Sequence, residues 1–204
     1  MSLTPTGQRQ LANRLSGGDP GQALAVARGI KEPWFRCQAL SQVARYWPGK
    51  DYERLLDEAI AAAETQSDAY KRVTVAAWPI RAYLERGSSS PAKGLLEKYT
   101  PVTTNIENMG GRSEALLMLF QAARPFAAEL WKPVFWALVE AAEPALAWRQ
   151  RRNLRLAMTM VSADNPQLIQ NALEQLSDEK TISALKRDFD AGKHAEPRPF
   201  FWLD

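Results

Sequence analysis

The stretch "EPWFRCQALSQVARYW", residues 32–47, decides how the rest of the chain is read. Leu40, Val43 and Trp47 recur at helical spacing and make one apolar stripe, so the segment is predicted to be an amphipathic helix. Arg36 falls on that same stripe, among residues expected to be buried. An arginine in such a place calls for a reason, and a reason that recurs along the chain would point to an architecture.

It does recur. From Ile30 the pattern is Ile-x-Glu-x-x-x-Arg-x-x-Ala-Leu-x-x-Val-Ala, ending at Ala44. From Ile106 it is Ile-x-Asn-x-x-x-Arg-x-x-Ala-Leu-x-x-Leu-Phe, ending at Phe120. Between them Asp68 precedes Arg72 by four residues, with Val75-Ala76 and Pro79-Ile80 at the matching offsets. A weaker copy runs through Leu146, Trp148, Arg152, Leu156 and Met160. Arg36, Arg72, Arg112 and Arg152 are thus 36, 40 and 40 residues apart, a period of the size that stacked helical repeats show.

Each copy has a helical stripe in front of it. These are Ala23 to Ile30, Tyr52 to Ala63, a short one around Leu95, Leu96 and Tyr99 that is expected to end before Pro101, and Trp131 to Ala142. A fifth pair is carried by Leu168 to Leu176 and Ile182 to Phe189, and Thr4-Pro5 suits the cap of one extra N-terminal helix. No segment alternates with the period of a half-buried strand. Pro79 lies inside "VAAWPIRAYL", where a proline removes a backbone donor, so one kinked helix is expected from about Asp68 to Glu85.

Composition narrows the class. The chain has 204 residues, 46% hydrophobic and 24% charged, within the ordinary range for a globular protein. A chain of this length buries about 70% of its unfolded surface, enough to fold without disulfides or metal. Cys37 is the single cysteine, which excludes an internal disulfide. Neither a signal-peptide core nor a membrane-length apolar run is present, so the expectation is a soluble, cytoplasmic protein without membrane contact. The net charge of +3 is uneven: residues 1–50 hold seven Lys/Arg against Asp19 and Glu32, while residues 51–64 are acidic. A nucleic-acid binder usually carries a larger and more continuous excess.

The recurring pattern resembles the helix-pair solenoids of the HEAT, armadillo and tetratricopeptide type, in particular degenerate bacterial repeats carrying Ile-x-Asp-x-x-x-Arg-x-x-Ala-Leu-x-x-Ile-Ala. The resemblance covers roughly residues 20–190. It is good at Arg36 and Arg112, fair at Arg72 and poor at Arg152, and the acidic position is Glu32, Asp68 and Asn108 rather than uniformly Asp. The expected fold is all-α: a right-handed α-solenoid of about five antiparallel helix pairs plus an N-terminal helix, in one domain over 1–204. The repeats fall at 20–48, 51–87, 91–126, 129–163 and 166–191, with an aromatic tail at 192–204. The arginines are read as structural markers, stems across the apolar stripe and guanidiniums on carbonyls or acids at a helix end. Arg36 and Arg112 are therefore expected to be largely buried and hydrogen-bonded.

Catalytic signals are weak. His194 is the only histidine, no metal-ligand spacing occurs, and no cofactor is expected. Cys37 sits in an apolar helix and is read as an inert packed thiol. Glu53 with Asp57 and Glu140 with Glu143 are paired carboxylates at surface helical spacing, which leaves an acid-only enzyme as the least favoured class. Two features stand out as binding candidates. "RQRRNLR" places Arg149, Arg151, Arg152 and Arg155 beside Trp148, suited to phosphates or an acidic partner. "PRPFFWLD" places Phe200, Phe201 and Trp202 after two prolines, expected to cap the last helix pair near Leu185 and Phe189 or to insert into a partner.

The resemblance implies a fold and a general habit of binding partners, and the expected function is a non-catalytic module that presents a curved helical surface to a protein or peptide, as a monomer or weak homodimer. The alternative is a nucleic-acid-binding or nucleic-acid-processing HEAT-like solenoid that uses the 149–155 arginine run. The HEAT-like DNA alkylation-repair glycosylases use tryptophans with an Asp. This chain has Trp131, Trp136 and Trp148 but no Asp between positions 69 and 163, which argues against that activity.

Overall fold

Short polar side chains set the helix starts. Thr4 accepts from the Gly7 amide (3.2 Å), Asp19 from Gln22 (2.9 Å), Asp68 from Lys71 (2.7 Å), Asn108 from Gly111 (2.9 Å) and Asp178 from Thr181 (2.9 Å). Each satisfies an amide that a helix start leaves without an internal acceptor. Proline follows the cap at Pro5, Pro20, Pro33 and Pro166, where its missing amide costs nothing. The computed structural model describes residues 3–143 and 147–201, and among these there are eleven α-helices and no strand. They are α1 (Pro5–Ser16), α2 (Pro20–Gly29), α3 (Pro33–Tyr46), α4 (Tyr52–Glu64), α5 (Ala69–Glu85), α6 (Ser89–Val102), α7 (Met109–Ala123), α8 (Ala128–Ala141), α9 (Trp148–Val161), α10 (Pro166–Glu174) and α11 (Glu179–Asp190). None of the described helices is long and apolar enough to cross a membrane.

By their contacts the residues fall into two compact units. The first is the chain up to Tyr99 together with its end from Pro199; the second is Thr100–Arg198. In the first unit α1, α3 and α5 pack in series, with α2 against α1 and α3 and α4 against α3 and α5. Leu40, Leu56 and Ile80 are fully buried there. At the end of α4, Glu64 accepts from Lys98 and from the Tyr99 hydroxyl, both at 2.6 Å, and so holds α6. Burial opposes ionisation of Glu64, but these two hydrogen bonds and the charges of Lys98 and Arg72 outweigh it and hold its carboxyl below the usual range. In the second unit α7 packs on α8 and α9, and α9 packs on α10 and α11. Phe120, Trp131 and Phe135 form its aromatic centre, with ring centroids 5.9–6.4 Å apart. Trp131 is thus a core residue.

Two expectations about local structure change. The helix before Arg112 does not stop ahead of Pro101; α6 runs through it to Val102 and is followed by a 3-10 turn, Thr103–Asn105. A proline so close to a helix end lacks only one amide, and Thr103 and Thr104 hydroxyls donate to the Thr100 and Pro101 carbonyls there. The tail does not cap the last helix pair. Phe200 and Phe201 are 4% and 7% exposed, but they lie in the first unit. Phe200 meets Trp78 edge to face at 5.2 Å, and Phe201 lies under the Arg45 guanidinium at 4.0 Å. Leu185 is buried without them. Trp202 and Leu146 lie outside the described residues.

Candidate functional site

Helix α9 carries the arginine run, and its start is fixed by Gln150. The buried Gln150 side chain accepts from the Ala147 amide (2.9 Å) and donates to the Ala141 carbonyl (3.1 Å), tying the end of α8 to the beginning of α9. Asn153, Leu154, Ala157, Met158 and Val161 turn inward and are buried. The remaining face presents Trp148, Arg152, Arg155 and Thr159, three or four residues apart and therefore in one stripe. With Arg151, Leu156 and Asp188 of α11 they line an open groove of about 510 Å³.

The four arginines are not equivalent. Arg155 donates through Nε (3.1 Å) and Nη2 (2.5 Å) to Oδ2 of Asp188, and Lys193 donates to Oδ1 at 2.8 Å. Only 6% of the Asp188 side chain is exposed. The hydrogen bond from Lys193, joined by that from Arg155, holds its carboxyl below the usual carboxylate range against the opposing effect of burial. Arg151 Nε lies 3.5 Å from Asp178 Oδ2, an ion pair with the residue that caps α11. Arg149 and Arg152 have no carboxylate partner among the described residues; their guanidinium carbons sit 5.8 and 5.4 Å from the centre of the Trp148 ring. Trp148 is 62% exposed, the most exposed of the large apolar side chains described. The Arg149 stem runs past Gly110, where an added Cβ would meet Cδ at 3.3 Å. The groove therefore offers an indole face and the Arg152 guanidinium beside the neutralised Arg151 and Arg155, while Arg149 reaches the Trp148 ring from outside the groove lining.

The marker arginines differ among themselves. Arg112 donates to the carbonyls of Thr104 (2.7 Å) and Ile106 (3.2 Å), the end of the preceding turn, from a half-buried position. Arg72 donates to Gln66 O at 3.4 Å and pairs with Glu64 at 3.8 Å. Arg36 is half-buried, and its guanidinium has no hydrogen bond to a described residue, contrary to expectation. Arg152 is not the fourth member: it is exposed on Trp148. The amides of Arg36, Arg72 and Arg112 donate to the N-cap carbonyls of Glu32, Asp68 and Asn108, and in α9 the amide that does so is that of Arg151, to Ala147. The fourth copy is one residue out of the register that the 40-residue spacing suggested, because its helix starts at Trp148.

The remaining candidates have structural partners. Phe200 and Phe201 are covered by their own chain and belong to the first unit, whereas the arginine run belongs to the second. Cys37 is buried with Sγ 3.6 Å from the Val75 carbonyl, and burial pushes its thiol up, away from the thiolate a nucleophile needs. Asp57 accepts from the Tyr83 hydroxyl (3.3 Å), and Glu143 from the Ser177 amide (2.8 Å) and hydroxyl (2.5 Å). His194 Nδ1 lies 3.1 Å from Ser162 Oγ, but that hydroxyl donates to Thr159 O. Among the described residues no three His, Cys, Asp or Glu side chains cluster as metal ligands would. Asp188 was not legible as a groove residue, nor Asp178 as the partner of Arg151, since they lie about thirty residues from their arginines and share no short-range pattern with them. No family model, no curated protein and no solved structure matches the chain.

Proposed function

We propose that the chain is a non-catalytic helical-repeat interaction module, and that its second unit takes an acidic peptide segment of a partner protein in the Trp148 groove. The repeat reading is supported by the recurring helix start, an N-cap carbonyl bonded to an arginine amide at Arg36, Arg72, Arg112 and Arg151. It is also supported by the serial packing of α1, α3 and α5 and of α7, α9 and α11. Such packing suits the stacked pairs of a solenoid, right-handed with about five of them. The observation that carries the binding assignment is the exposed Trp148 with the guanidiniums of Arg149 and Arg152, which have no carboxylate partner among the described residues, within 6 Å of its ring centre. Tryptophan and arginine are the side chains that most often dominate binding energy at interfaces. Guanidiniums suit carboxylates, and the ring suits an apolar neighbour in the same segment.

Nucleic acid is the second reading, favoured by the same exposed indole, on which a base can stack. It fits less well, because Asp188 and Asp178 neutralise half of the arginine run and a nucleic-acid track needs consecutive unpaired charges. A fluorescein-labelled glutamate-rich peptide containing one leucine, and a labelled oligothymidine, are titrated with the chain at low salt. The reading predicts tighter binding of the peptide, lost when Arg149→Glu and Arg152→Glu are combined. Tighter binding of the oligonucleotide would favour the second reading, and binding of neither would contradict both.

A further inference from the structure

Asp188 is buried where its neighbours on α11 are not. Lys186, Arg187 and Asp190 are exposed, yet only 6% of the Asp188 side chain is. A carboxylate is seldom buried unless it is paired, and this one is paired twice. Arg155 donates to Oδ2 from α9, and Lys193 donates to Oδ1 at 2.8 Å from beyond the end of α11. The turn that brings Lys193 back runs through Gly192, at φ +63°. There the Gly192 amide donates to Phe189 O and the Lys193 amide to Asp188 O, both at 2.9 Å. A left-handed glycine closes a helix in this way, and here the closure sets the lysine beside the acid.

This clamp decides which positive charges the Trp148 groove can offer. The lining contains three arginines and one acid, Asp188. Arg151 is paired with Asp178, and Arg155 has two of its donors on Asp188. That leaves Arg152, which lies four residues from Trp148 on one side and from Leu156 on the other, so the three share one stripe of α9. One guanidinium in the middle of an apolar stripe matches one carboxylate with an apolar neighbour. A run of phosphates would need Arg155 and Lys193 as well. Asp188 repels such a run and keeps both cations in charge-assisted hydrogen bonds.

We infer, on the peptide reading of the Trp148 groove, that Asp188 sets its selectivity: the groove takes a segment with one carboxylate beside one apolar side chain and turns away chains of phosphates. A labelled peptide with one glutamate and one leucine, and labelled oligothymidine, are titrated with the parent and with Asp188→Asn over a range of salt concentrations. Circular dichroism checks the fold of each variant. The parent is expected to bind the peptide more tightly than the oligonucleotide. Asp188→Asn is expected to bind oligothymidine about tenfold more tightly than the parent does, with a salt slope steeper by about 0.7 for each cation set free. Asp188→Asn combined with Arg155→Gln should lose most of that gain. If Asp188→Asn does not fold, two single substitutions decide. Arg152→Gln should weaken peptide binding at least about tenfold, and Arg155→Gln by less than about threefold. Oligothymidine binding no tighter in Asp188→Asn than in the parent, or equal losses from Arg152→Gln and Arg155→Gln, would overturn the inference and leave the peptide reading in place. A parent that does not bind the peptide, or that prefers the oligonucleotide, would overturn both.

Discussion

Arg112 and Arg36 occupy the same position in their helices, yet only Arg112 has carbonyls within reach. Its guanidinium bonds Thr104 and Ile106, so Arg112→Ala should cost about 1–2 kcal/mol in urea unfolding, from charge-assisted bonds lost at a helix end. Arg36→Ala should cost less than Arg112→Ala, since it loses the packing of a half-buried stem but no guanidinium hydrogen bond to a described residue. Equal costs would mean that the arginines act through their stems rather than their charged heads. The position of these residues was legible from the cap-to-arginine spacing, but not their bonding, which depends on where the preceding turn leaves its carbonyls. In the fourth copy even the position misled, because Arg151 and Arg152 are adjacent and only the helix start tells them apart. Asp188 sets a pH dependence. Its carboxyl is depressed in the folded state, so its contribution is fully present above the unfolded value near about 4 and is lost as pH falls through the folded value. Asp188→Asn should therefore melt below the parent at neutral pH, with the gap closing in acid. A gap that is constant with pH would assign the loss to packing instead of charge.

At the scale of elements, α5 shows how a proline is tolerated inside a helix. Pro79 cannot donate to the carbonyl four residues earlier, that of Val75, and the Cys37 thiol of α3 supplies a donor at 3.6 Å. Burial keeps that thiol protonated, which is the form the contact needs. Cys37→Ala should destabilise more in the parent than in a Pro79→Ala background, where the new amide takes over the carbonyl. A coupling of about 0.5–1 kcal/mol is expected from the double-mutant cycle, and strict additivity would remove the thiol from the account. The single helix across Pro79 was legible because the apolar stripe continues on both sides. The extension of α6 through Pro101 was not, since Leu95, Leu96 and Tyr99 make a short stripe and the last turn is held by Thr103 and Thr104.

At the scale of the whole molecule, the all-helical class followed from local signals, whereas what the tail covers did not. Three aromatics after two prolines announce burial, but the partner surface, Trp78 and Arg45, lies more than a hundred residues earlier. Serine at both Phe200 and Phe201 should lower the melting temperature of dilute chain by about 2–4 °C. That corresponds to roughly 1 kcal/mol, because the apolar burial lost is largely offset by the freedom the tail regains. An unchanged melting temperature would show that the tail adds nothing to the first unit. The same separation hid Asp188 from the arginine run, so the groove could be named only from one of its walls. That groove is the central claim, and the indole N–H spectrum of ¹⁵N-labelled chain tests it most directly. The Trp148 resonance is identified by its absence in Trp148→Phe, and the leucine-containing glutamate-rich peptide is then added. The account predicts that the Trp148 indole signal moves progressively and saturates while that of buried Trp131 stays in place. A Trp148 signal that does not move, or moves no more than the others, would contradict it.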